Sequence, residues 1–335
     1  MPFSPHPFSL RQLQYVVAVA DALSFRRAAE SCHVSQPSLS SQIAELEAQL
    51  GVRIFERNKR RVLVTQAGRT IVERARRLLL DADDLVIAAK REGDPLRGSV
   101  KLGVIPTISP YLLPTVTPRL RALFPELTVH WVEDKTPALE RALREGEIEA
   151  ALVALEADLG DVESAVVGSD PFVLVGRADH PLLRHDAALP ASELHEADVL
   201  LLDDGHCLRQ QALALCRTAR AHELALRATS LTTLVQMVAQ GTGVTLLPEL
   251  ALAAETARTQ LAVRRFEPPV PHRTIALVWR KGSPLAGALR ELAGGVREAY
   301  RALAEPIAPA NAQGRGRAPS KYSRGVTPTK RRNTR

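Results

Sequence analysis

The chain has 335 residues, 45% of them hydrophobic, and a net charge of +7 from 44 Lys/Arg against 37 Asp/Glu. That length predicts two or three domains, and no apolar run approaches the roughly 18 residues of a membrane span. Three cysteines exclude a disulfide-stapled scaffold, and the opening MPFSPHPFSLRQ lacks the basic-then-apolar plan of an export signal, so a soluble cytoplasmic protein with no membrane partner is expected.

Charge is uneven along the chain. Met1 to Glu92 holds 14 basic and 10 acidic residues, Gly93 to Ile307 holds 22 and 27, and Ala308 to Arg335 holds 8 and none. Basic ends around an acidic middle point to nucleic acid at the N-terminal part. Ser9 is a good N-cap for a first helix carrying Leu13, Val16, Val17 and Ala20. Ser24 caps a second helix whose apolar face is Phe25, Ala28, Ala29 and Cys32, so Cys32 reads as a buried small hydrophobe. Ser35 caps a third, with Pro37 tolerated in its first turn, Leu39, Ile43, Leu46 and Leu50 as the buried stripe and Gly51 as the stop. Two short helices joined by a tight turn read as helix-turn-helix. The stripe leaves Pro37, Ser38 and Ser41 facing outward, flanked by Gln36, Ser40 and Gln42 beside the Ser35 cap. Their hydroxyls and amides suit base edges and phosphates in a major groove. Strand-like Val52 to Phe55 and Val62 to Val64 flank a basic turn of Arg57, Lys59, Arg60 and Arg61. A wing with such a tip would touch the backbone of double-stranded DNA.

Thr65 can cap a long helix running to about Arg91. Ile71, Ala75, Leu78, Ala82, Leu85 and Ala89 follow one another at intervals of 4, 3, 4, 3 and 4, which is a heptad seam. The simplest partner for such a seam is a second copy, and pairing two heads predicts an inverted-repeat DNA site. The stretch REGDPLRG then reads as a hinge.

From Ser99 the strand-like SVKLGVI, LTVHWV, EAALVAL, PFVLVG, DVLLLD, GVTLLP and RTIALVWR alternate with helical stretches at Thr115 to Phe124, Ala138 to Glu145 and Leu231 to Ala239. This predicts an α/β fold with mainly parallel sheets in two lobes, with GSDPFVLV and HRTIALVWR as extended crossings between them. No P-loop, GxSxG, HExxH or dinucleotide fingerprint is present, and no cofactor is expected. The expected division is a winged helix-turn-helix over 1–65, a linker helix over 66–92, a hinge over 93–98, a two-lobed regulatory domain over 99–307 and a basic disordered tail over 308–335.

The segment FRRAAESCHVSQPSLSSQIAELEAQLGVRIFER followed by VTQAG resembles the head of the LysR-type transcriptional regulators. GVIPTISPYLLP, GHCLRQQALALC, RATSLTTLVQMVAQGTGVTLLP and RTIALVWRKGSPL together resemble their OxyR-like, peroxide-sensing branch. The likeness runs from about Leu10 to Leu303. It implies a homotetrameric regulator, not an enzyme, with an effector domain like the periplasmic binding proteins and with RNA polymerase and cellular thiol reductants as partners. By the same likeness Cys207 is the peroxide-reactive thiol and Cys216 its resolving partner. Thr107, of IPT, helps hold hydrogen peroxide over the sulfur, and Thr136, in VEDKTPAL, matches a second polar position of the pocket. This chain departs from the pattern at Gln210, where many members carry an acid, and in its basic tail.

His206, when charged or donating, and Arg209 can favour a thiolate at Cys207, and a helix start there would add to this, while Asp203 and Asp204 oppose it. Peroxide converts a thiolate to sulfenic acid, which condenses with a second thiol. Leu208 to Cys216 contains strong helix formers and no breaker. Nine residues of helix rise about 13.5 Å, whereas a disulfide needs Cα atoms roughly 4.4–6.8 Å apart. Bonding therefore requires the segment to unwind. His206, Cys207, Cys216 and His222 fit no common zinc spacing, so no metal is expected. Two alternatives stand beside this reading: a regulator binding a small organic effector between the lobes, with passive cysteines, and a thiol peroxidase using Cys207.

Overall fold

Three capped helices open the computed structural model, which describes residues 6–58, 61–90, 96–257 and 259–304. Ser9 caps α1 (Leu10–Ala22): its hydroxyl accepts from the Gln12 N–H, and the Gln12 side chain accepts from the Ser9 N–H. Ser24 and Ser35 cap α2 (Phe25–Ser31) and α3 (Gln36–Leu50), and Gly51, at φ +67°, ends α3 in the left-handed conformation. The expected stripes form one core: Phe25, Ala28 and Ala29 meet Leu39, Ile43 and Leu46 over Leu13, Val16 and Val19 of α1. Cys32, at the end of α2, is half-buried beside that core.

The wing is the antiparallel pair β1 (Phe55–Asn58) and β2 (Arg61–Val64). Its first strand starts at Phe55 rather than Val52. The carboxylate of Glu47 accepts from the N–H groups of both Ile54 and Phe55, so these amides bind α3 while Ile54 fills the core. Thr65 accepts from Gly68 N–H and so caps α4 (Gln66–Lys90) as expected.

The remainder begins with β3 (Gly98–Val104), α5 (Ser109–Leu123), β4 (Leu127–Glu133), α6 (Thr136–Glu145), β5 (Ala150–Ala154) and β6 (Val162–Gly176). It continues with β7 (Asp198–Leu202), α7 (Cys207–Ala219), β8 (His222–Ala228), α8 (Leu231–Ala239), β9 (Val244–Pro248), α9 (Glu249–Thr256), β10 (Ala262–Arg265), β11 (His272–Arg280) and α10 (Ala286–Ala304). The strand order is β4-β3-β5-β11-β6-β9-β7-β8, with β10 also on β6. The flanks are parallel, β3 with β4 and β5, and β7 with β8 and β9. The centre departs from the parallel expectation, because β6 and β11 run antiparallel to each of their neighbours. The cause lies in β6, which pairs with β11 up to Pro171 and with β9 and β10 from Phe172 onward. Proline lacks the N–H that would continue the ladder, and the strand changes partners there. It thereby passes from one lobe to the other.

Lobe 1 is cored by β3, β5, β11, α5, α6 and α10, and lobe 2 by two clusters on either side of β7 and β9. α5 begins earlier than Thr115 and carries Pro114 and Pro118 within it. The amphipathic face of Leu112, Val116 and Leu120, all buried, outweighs the two missing N–H donors.

Candidate redox site between the lobes

The Leu201 to Cys216 stretch leaves β7 through the turn Asp203–Gly205 and enters α7 at Cys207. Gly205 has φ +91°, a conformation that side chains resist. His206 is the N-cap, and Cys207 is the first residue of the helix, at the end of the helix dipole that favours an anion. One unbroken helix carries both cysteines, and both thiols are free. They belong to different cores. Cys207, 6% exposed, packs into lobe 1, while Cys216, 2% exposed, packs into lobe 2.

Thr107 is buried where β3 gives way to α5. Its hydroxyl accepts from Arg273 Nη1 at 2.7 Å and its carbonyl from Nη2 at 2.9 Å. Arg273 Nε donates to Asp170 Oδ2 at 2.9 Å, and Asp170 Oδ1 accepts from Leu250 N–H at 2.9 Å. Arg273 and Asp170 are both fully buried, and they face each other in register across β11 and β6. Sequence reasoning missed this pair. The one signal was a charged residue opening the otherwise apolar strand TIALVW, matched by an aspartate just before Pro171. Thr136 is the first residue of α6, and its buried hydroxyl has no hydrogen-bond partner among the described residues.

His206 is buried, and its Nε2 lies 3.1 Å from Asp203 Oδ1 without the alignment of a hydrogen bond. Burial first, and the nearby Lys135 ammonium second, push its pKa below the usual histidine range. The neutral imidazole is thereby favoured over the charged form. Arg209 is also buried, but its guanidinium grips lobe 2: Nε donates to Asp204, Nη1 to the Leu202 carbonyl and Nη2 to Glu223. Its structural effect is to clamp the turn before Cys207 onto β7 and β8. Gln210 is exposed on the outer face of α7.

Burial, aided by the Glu223 carboxylate, pushes the Cys216 thiol up to about 11. The neutral thiol is favoured in the folded state. Its contribution to stability is complete below the unfolded thiol's range and is lost as pH rises through about 11. In a Cys207→Ser chain, alkylation of Cys216 is expected to rise with a midpoint near 11 in the folded protein, and near ~8.5 after denaturation. Equal midpoints would contradict the burial argument.

Residues 10–69 match the bacterial regulatory helix-turn-helix protein model of the lysR family, and residues 93–301 match the LysR substrate binding domain. The chain belongs to the LysR family. It is 43% identical over 291 residues to the hydrogen peroxide-inducible genes activator of Dickeya chrysanthemi, covering 87% of this chain and 95% of that protein. A full-length OxyR variant from Pseudomonas aeruginosa is similar at TM-score 0.69 and 37% identity, over 88% of this chain and 96% of that one. A hydrogen peroxide-bound OxyR variant from Corynebacterium glutamicum is similar at TM-score 0.61 and 35% identity, over 90% and 95%.

In this LysR-family regulator, α3 presents Ser35, Gln36, Pro37, Ser38 and Ser41 to solvent, with Ser40 and Gln42 half-buried beside them. Gln42 Nε2 donates to Glu45 at 3.2 Å. Arg57 lies on β1, and Lys59 and Arg60 fall outside the described residues. The heptad residues divide. Ala75 is buried in the core of its own head and Ile71 packs against that core, whereas Leu78 and Leu85 are 44% and 72% exposed. Ala82 is half-buried and Ala89 exposed. The expected hinge is described only from Leu96, and the basic tail lies outside the described residues. No helix among the described residues is long and apolar enough to cross a membrane.

Proposed function

We propose that this regulator senses hydrogen peroxide through Cys207 and Cys216 and passes the signal to paired DNA-binding heads. The observation that carries the reading is one helix with a thiol at its N-terminus packed into lobe 1 and a second thiol packed into lobe 2. The relatives named as peroxide-inducible activators and the peroxide-bound structural neighbour support it. Cys207 thiolate attacks one peroxide oxygen, the O–O bond breaks, and the departing hydroxide takes a proton to become water. The Cys216 sulfur then attacks the sulfenic sulfur, the S–O bond breaks, and a second water leaves. Two thiols give up two electrons, and one peroxide becomes two waters.

The Thr107 hydroxyl, oriented by Arg273, and the unpaired Thr136 hydroxyl supply the contacts that hold peroxide above Cys207. Arg209 fixes the turn that presents the sulfur, and His206 is the N-cap of the helix that Cys207 begins. Residues 1–65 read an inverted-repeat site, with Ser35 to Gln42 in the major groove and the wing residues Arg57, Lys59 and Arg60 on the backbone. Residues 66–92 pair two copies through Leu78, Ala82, Leu85 and Ala89, below the stretch where Ile71 and Ala75 serve the head. Regulatory domains, residues 99–307, join dimers into a tetramer that acts on RNA polymerase in the cytoplasm, and cellular thiol reductants reset it.

Mass mapping after mild peroxide treatment is expected to find one Cys207–Cys216 disulfide in most chains, with Cys32 free. Two free thiols in a protein that has consumed peroxide would overturn the reading.

A further inference from the structure

Lys135 lies in lobe 1, between β4 and α6, yet its side chain reaches the turn that precedes Cys207 in lobe 2. Its ammonium donates to both carboxylate oxygens of Asp203, at 3.0 and 2.9 Å, and to the Asp204 carbonyl at 2.9 Å. Its stem lies over Gly205, where an added Cβ would sit 3.0 Å from Lys135 Cδ. The ammonium has three N–H bonds, and all three acceptors belong to this one turn. Lys135 also directly precedes Thr136, whose buried hydroxyl has no partner among the described residues. One turn further along α7, Gln211 Nε2 donates to Glu156 Oε2 of lobe 1 at 3.1 Å. Contacts to lobe 1 therefore flank Cys207 on both sides, and the charged one holds the segment that must move if Cys207 is to meet Cys216.

We propose that Lys135 is a positioning residue for the redox step: by bridging lobe 1 to the Asp203–Gly205 turn, it aligns Thr136 with Cys207 and holds the reduced conformation against release of that turn. The inference rests on the peroxide-sensing reading. It concerns a difference between redox forms. The bridge exists with α7 intact, and unwinding toward Cys216 breaks it. A contact present only in the reduced form favours reduction, so removing it shifts the equilibrium toward the disulfide.

The test is equilibration of the full chain with glutathione buffers, in which one disulfide and two glutathione thiols exchange for two protein thiols and one glutathione disulfide. For a bridge about one third exposed on each side, Lys135→Met and Lys135→Gln are expected to shift the equilibrium roughly fivefold toward the disulfide, about 20 mV more negative. Lys135→Arg is expected to restore most of the wild-type value. In a Cys216→Ser background, the Met variant is expected to form sulfenic acid a few-fold more slowly. A shift below about twofold, or one in the opposite direction, overturns the proposal. So does an equal loss of thermal stability in both redox forms with an unmoved potential, which is the mark of a merely structural residue. If the wild-type chain forms no Cys207–Cys216 disulfide, the sensing reading itself fails. If it does and the Lys135 variants match it, only this inference fails.

Discussion

Replacing Arg273 with alanine is expected to destabilise the reduced protein by about 3–5 kcal/mol, the range for breaking a buried ion pair by removing one partner. Arg273 and Asp170 are 0% exposed, so water cannot take over the bonds that are lost. The variant leaves the Asp170 carboxylate with the Leu250 N–H but without its counter-charge, and it frees both the hydroxyl and the carbonyl of Thr107. The position of the pair raises the cost further. Asp170 sits immediately before Pro171, where β6 leaves β11 for β9, so one side chain ties the crossing strand to the β3–α5 junction. Arg273→Lys keeps the charge but lacks the planar fork, and it cannot serve Asp170 and Thr107 together. It should fall between wild type and alanine. Urea denaturation of the reduced chain measures both variants. A loss under about 1 kcal/mol for alanine would show that Asp170 is compensated in another way.

The head was legible because its signals agree locally. Ser9, Ser24 and Ser35 are caps, Gly51 is a stop, and the stripes of α2 and α3 share one period. The wing's first strand was misplaced because Glu47, at the far end of α3, captures the amides of Ile54 and Phe55, a contact with no local pattern. In the regulatory domain, strands were legible as apolar runs, but direction was not. Alternation of strand and helix implies parallel neighbours only when each crossover returns to the same sheet, and β6 instead runs through both lobes. The site shows the same limit. GHCLR and its resemblance brought out Cys207, Cys216, His206 and Arg209. The partners of Thr107 and of the Asp203 turn lie more than 60 residues away, in Arg273 and Lys135. Charge attraction between such distant residues leaves no spacing to read. Arg209 shows the converse, since nearness in sequence suggested that its charge favours a thiolate at Cys207, while its fork engages Leu202, Asp204 and Glu223.

The two cysteine variants should fail at different steps. Cys207→Ser is expected to lose all peroxide oxidation at this site and all disulfide formation. Cys216→Ser should form sulfenic acid on Cys207 at near the wild-type rate and stop there, captured by a sulfenic acid trap. The geometry of α7 and the burial of Cys216 underlie this expected order. With α7 intact, nine residues of helix hold the sulfurs' backbones about 13.5 Å apart along the axis, roughly twice the longest span of a disulfide. Cys216 is also a neutral, buried thiol, with its pKa pushed up to about 11, and so it is a poor nucleophile at neutral pH. Cys207 stands at the lobe boundary, at the N-terminus of a lobe 2 helix yet packed into the core of lobe 1, where the helix dipole favours a thiolate. The expected order is therefore oxidation at Cys207 first, with resolution waiting for the helix to open, which both shortens the gap and hydrates Cys216. At high peroxide, disulfide formation in the wild type should level off at the rate of that opening, while sulfenic acid accumulates ahead of it. A Cys207→Ser chain that still consumed peroxide and switched its promoter like the wild type would remove the basis of this scheme.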